Sequence, residues 1–141
     1  MKKLILLTCL LFSIAACDAT DPLYDPFTPN LEGTWQLTEV LADPGDGSGT
    51  YQPVESDKTI AFFADGTFEA SEDMCTRGRN EDLKSIGTYS LNDSSLTVTN
   101  CDFGVNQDEW KLKFSLDAGC LYLSIPCIEP CGEKYERITG K

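Results

Sequence analysis

"EWKLKFSLDAGCLYLSI", residues 109–125, decides the fold. Trp110, Leu112, Phe114 and Leu116 share one parity, and Lys111, Lys113 and Ser115 share the other. That two-residue period is the mark of a half-buried strand. Leu121, Leu123 and Ile125 repeat it after "DAG" (117–119), a stretch suited to a tight turn. The pair reads as a β-hairpin with one apolar face.

No segment from Leu31 onward sustains a helical period. The same reading predicts eight strands, at about 33–41, 58–64, 67–72, 86–91, 95–100, 109–116, 120–126 and 133–139. Short strands at regular spacing imply a sandwich or barrel. Their links fall into two alternating classes. "ADG", "NDSS" and "DAG" are short, whereas 42–57, 73–85, 101–108 and 127–132 are long. Alternate links of an up-and-down barrel lie at the same end, so the long loops gather at one mouth and the tight turns close the other. The expected fold is all-β, an eight-stranded antiparallel up-and-down β-barrel over 31–141. Its predicted core is Trp35, Leu37, Ile60, Phe62, Phe68, Leu96, Val98, Trp110, Leu112, Phe114, Leu121, Leu123, Ile125 and Tyr135. Such side chains either fill a small barrel or leave room for one small ligand.

The chain opens "MKKLILLTCLLFSIAAC". Lys2 and Lys3 precede an apolar run over 4–16, shorter than the roughly 20 residues that span a bilayer. This is a signal peptide, 1–16, and not a transmembrane anchor. "IAAC" (14–17) resembles the lipobox of bacterial lipoproteins, which implies that Cys17 receives a diacylglyceryl group and becomes the mature N-terminus. Paired acyl chains, palmitate among them, anchor stably. Cleavage near Ala15 or Ala16, with Cys17 an incidental thiol, is the alternative. Residues 17–30 then form an Asp/Pro-rich tether. The expected location is the bacterial cell envelope, outer membrane favoured over inner. Asp18 resembles an inner-membrane retention signal of enterobacteria, and other bacterial groups sort by other rules.

"LEGTWQL" (31–37), "FFADGTF", "GTYSL" and the closing "YERI" resemble the landmarks of bacterial lipocalin-like lipoproteins. The resemblance implies a calycin-type barrel in which Arg137 packs across Trp35 to close the floor. A guanidinium over an indole face is worth about 0.5 to 2 kcal/mol.

Losing Lys2 and Lys3 from the 11 basic residues leaves 9 against 23 acidic ones, a net of −14. Such a surface repels nucleic acid and anionic headgroups, so membrane contact runs through the lipid alone. Zero histidines exclude Ser-His-Asp and Cys-His catalysis and histidine-bound metal. No phosphate loop follows a strand. "DPGDGSG" (43–49) lacks the alternating ligands of a calcium loop. No enzyme, cofactor or metal is expected, and the chain reads as a monomer.

Five cysteines lie beyond the signal and lipid positions, at 75, 101, 120, 127 and 131. Strand direction sends Cys75, Cys101, Cys127 and Cys131 to the long-loop end and Cys120 to the other. An oxidising compartment favours disulfides. The four lack a Cys-x-x-Cys pair, which argues against zinc and redox chemistry. Of three possible pairings, Cys75–Cys101 with Cys127–Cys131 is favoured, leaving Cys120 free.

The expected role is binding of a small apolar or amphipathic ligand at the long-loop mouth. The alternative is a protein-binding module, an envelope inhibitor or assembly partner, using stapled loops on a filled barrel. Glu39, Tyr51 and Phe62 are the candidate ligand contacts. Glu39 shares parity with Trp35 and Leu37 and would point inward, unless a bulge turns Val40 inward instead.

Overall fold

A computed structural model describes residues 30–75, 83–101 and 110–138. The signal peptide, Cys17, the tether and residues 139–141 lie outside them. Nine strands form one antiparallel sheet: β1 Gly33–Ala42, β2 Gln52–Pro53, β3 Thr59–Phe62, β4 Thr67–Ala70, β5 Ser85–Ser90, β6 Ser95–Val98, β7 Trp110–Asp117, β8 Cys120–Ile125 and β9 Cys131–Ile138. Strands β3 to β9 pair in sequence order, and β9 returns to pair with β1. The sheet is therefore a closed eight-stranded barrel, with the two-residue β2 added beside β1. Closure removes the sheet edges that would otherwise recruit other strands.

The eight expected strands are present, with ends displaced by a few residues. The hairpin that decided the fold pairs Phe114 with Leu123 and Leu116 with Leu121. Its turn places Ala118 and Gly119 at φ 49° and 77°. Positive φ at both central residues matches the right-handed twist of the flanking strands. The short strand β2 is an addition to the expected set. Residues 52–53 pair with Val40 and Glu39, and the Val54 N–H donates to the Thr38 carbonyl at 2.9 Å.

The inward faces interlock into one core. Trp35, Leu37, Ile60, Phe68, Leu96, Leu112, Leu121, Leu123 and Tyr135 are all buried. Gly87 lets this happen on β5. A side chain there would meet the Phe68 ring at 2.7 Å and the Thr97 carbonyl at 2.0 Å, so the ring occupies the space glycine leaves. The tight-turn end is shut. Trp35 Nε1–H donates to the Leu31 carbonyl at 2.9 Å. Arg137 lies over the Trp35 ring, its Cζ 4.5 Å from the centroid, and donates to the carbonyls of Glu32 and Asn30.

Candidate ligand-binding site

Strand direction sets what meets at the mouth. Strands β1, β4, β6 and β8 run toward it, and β3, β5, β7 and β9 start from it. The ends of β1 and β8, the start of β9 and the residues flanking β3 and β4 therefore converge. Between them lies a cavity of about 270 Å³. Val40, Leu41, Met74 and Ile125 supply its apolar wall, and Lys58, Asp73 and Glu133 its polar one. Cys127 and Cys131 form part of the rim.

The polar wall is built around a buried ion pair. Lys58 is only 4% exposed, and its Nζ lies 2.7 and 2.9 Å from the two carboxylate oxygens of Glu133. The Tyr135 hydroxyl donates to Glu133 Oε2 at 2.6 Å. Lys58 follows the parity of inward-facing Ile60 and Phe62, and Glu133 follows that of Tyr135. Two more carboxylates, Glu72 and Asp73, are buried beside the end of β4. The Asp73 carboxylate accepts the Cys75 N–H at 2.8 Å. Glu72 Oε2 is buried with no hydrogen-bond partner. Buried charges are retained only where paired or used, because desolvation is costly.

Of the three candidate contacts named from sequence, none lines this cavity. Register shifts at a bulge between Leu37 and Glu39. Val40 thereby turns inward opposite Glu133, and Glu39 pairs with outward-facing Lys134. The Lys134 ammonium is held above its usual pKa chiefly by its hydrogen bond to Glu39. Phe62 does face inward, at 2% exposure, but it lies at the floor end opposite Gly33, against Phe68 and Tyr89. Strand β3 runs away from the mouth, so its last residue is its deepest. Tyr51 lies on the outer face, edge-on to Tyr122 with ring centroids 5.5 Å apart. It also covers Gly132, where a Cβ would come within 2.5 Å of the Tyr51 hydroxyl. Burial pushes its phenol pKa up.

The 42–57 link thus folds partly down the outside of the barrel, held by Asp43. That carboxylate accepts the backbone N–H groups of Gly45, Gly47 and Gly49 at 2.7, 3.0 and 2.6 Å. Those bonds, Gly49 and Gly45 foremost, hold its pKa below the usual aspartate value. The loop's acidic group is spent on its own backbone, and no metal-holding cluster occurs among the described residues.

At the mouth Cys75 is bonded to Cys101 and Cys127 to Cys131. Cys120, expected free, is instead disulfide-bonded. Strand direction separates it from the four mouth cysteines, which are bonded to one another. Most of the 73–85 and 101–108 links also fall outside them.

A closed antiparallel eight-stranded barrel with a sealed floor and a charged, partly apolar mouth defines a lipocalin-like class of β-barrel. The lipocalin-like domain model matches residues 31–119, and the chain belongs to that family. The family is typically a binding fold and not an enzymatic one. The crystal structure of a lipocalin-like protein from Bacteroides uniformis is similar at 21% identity, with a TM-score of 0.44. The match covers 77% of this chain and 98% of that one. No curated protein matches the chain.

Proposed function

We propose that this protein is a lipid-anchored binding protein of the bacterial cell envelope that takes a small amphipathic ligand at its mouth, without catalysis. The observation that carries the reading is the cavity of about 270 Å³ with apolar and charged walls. Ligand pockets usually span about 300–1,000 Å³, so this one suits a small molecule. The inward side chains beneath pack into one core, which supports a ligand site among the long loops over a deep calyx. Native mass spectrometry of the protein released from its own membranes should show a small-molecule adduct. Val40→Phe, which narrows the cavity, should weaken it. No adduct, or one unaffected by Val40→Phe, overturns the reading.

The anchor rests on "IAAC" at 14–17. A sulfur that carries diacylglyceryl cannot also join a disulfide, and Cys9 and Cys17 are the cysteines outside the described residues. The mass of the N-terminal peptide therefore tests the anchor directly. An acylated Cys17 supports it, and a Cys17–Cys120 link removes it.

A second reading, docking of an envelope protein, is favoured by one feature. Ile128, in the loop closed by the Cys127–Cys131 disulfide, is 87% exposed. Stapling lowers the ordering cost of presenting such a side chain to a partner.

A further inference from the structure

We infer that the mouth selects an uncharged amphiphile, with a hydroxyl or carbonyl oxygen facing Lys58, over carboxylates and ammonium ions of the same size. This rests on the reading of the mouth as a small-ligand site and names the ligand's chemistry.

Hydrogen-bond capacity at the polar wall comes first. A lysine ammonium has three N–H donors. The contacts of Lys58 Nζ go to one carboxylate, Glu133, at 2.7 and 2.9 Å. One donor is left over on a side chain that lines the cavity and is 4% exposed. Glu133 is more fully used, since its Oε2 takes both Lys58 and the Tyr135 hydroxyl. The pair is closed in charge and open in hydrogen bonding.

Charge then decides among head groups. An incoming carboxylate would have to draw Lys58 from Glu133 while lying near Asp73, a buried carboxylate that lines the same cavity. An incoming ammonium would bring a second cation against the Lys58 ammonium, which lines the same cavity. The first strands Glu133 without its cation, which is the expensive outcome for a buried ion, and the second opposes like charges. A neutral oxygen can accept the remaining Lys58 N–H while the ion pair stays in place. The apolar body then packs on Val40, Met74 and Ile125.

The test uses three probes with one body: 1-octanol, octanoate and octylammonium. The full chain, made without lipid under oxidising conditions, is titrated with each and followed by amide chemical shifts. Octanol should shift residues 40–41 and 125–133 and bind at least tenfold more tightly than either ion. In a Lys58→Met/Glu133→Leu chain, shown folded by its thermal melt, octanol should bind several-fold more weakly, because its oxygen has lost the Lys58 donor. Tighter binding by octanoate or octylammonium overturns the inference. Equal binding of all three also overturns it while leaving the small-ligand reading in place. No shift at the mouth with any probe removes both.

Discussion

The floor and the mouth of this barrel are made from the same strands and solve opposite problems. At the floor, Trp35, Leu31 and Phe62 are buried, and the Arg137 cation lies over an indole and donates to backbone carbonyls. At the mouth, Lys58, Glu72, Asp73 and Glu133 are withdrawn from water around a cavity. Apolar packing stabilises unconditionally, whereas a buried ion pair is often no better than hydrophobic residues of equal volume. Under the proposed function, stability rests chiefly on one end and recognition on the other.

The sharpest way to break that division is to substitute at both ends and compare melts. Trp35→Ala should cost about 3 to 5 kcal/mol, the range for a buried large aromatic. Lys58→Met alone should cost a similar amount, about 3 to 5 kcal/mol, because it leaves Glu133 buried without its cation. Adding Glu133→Leu should return most of that loss. Thermal or urea unfolding of the three variants checks this. A double variant as unstable as Lys58→Met would mean that the pair supports the fold and not a site.

Next in size are the disulfides. Residues 75 and 101 are 26 apart in sequence, and 127 and 131 are 4 apart. The loop-entropy model gives about 3 to 4 kcal/mol for the first and about 2 for the second. Paired Cys→Ser variants, compared by urea midpoints, should therefore rank in that order. The Cys127/Cys131 variant should also weaken octanol binding, since both residues line the cavity. A reversed ranking would shift structural weight to the rim.

The smallest effect is a titration. Asp43 is held below the usual aspartate pKa by backbone N–H donors, so its folded-state value is depressed. Its contribution is present above the unfolded-state value and is lost as pH falls through the folded one. The amide shifts of Gly45, Gly47 and Gly49 should follow a single midpoint below that of a free aspartate. A midpoint at or above the free value would show that the loop is not organised by this side chain.

Much of the fold was legible because alternation and turn chemistry are local. Strand direction also assigned Cys75, Cys101, Cys127 and Cys131 to the end where the two disulfides lie. The site was less legible, for identifiable reasons. Along "TWQLTEV" (34–40) the apolar parity changes between Leu37 and Val40, which is the trace of the bulge that turns Glu39 outward. Phe62 had the right face but the wrong depth. Tyr51 lies in a link whose path depends on three backbone bonds to Asp43, which no periodicity reports. The central pair, Lys58 with Glu133, was passed over although both share parity with core residues. A charge on an inward face of a strand was the available signal.

The entry of the chain into β1 has a consequence for how the mouth meets its surroundings. Asn30 and Leu31 come in at the floor, clasped by Arg137 and Trp35, and β1 then runs 10 residues toward the mouth. At roughly 3.3 Å per residue along a strand tilted by about 40°, the mouth stands roughly 25 Å from that entry. Ionic screening at physiological salt decays over about 8 Å, so some three decay lengths separate the two. A charge held at the entry point is screened to a few per cent before it reaches the mouth. The field at the mouth is the barrel's own.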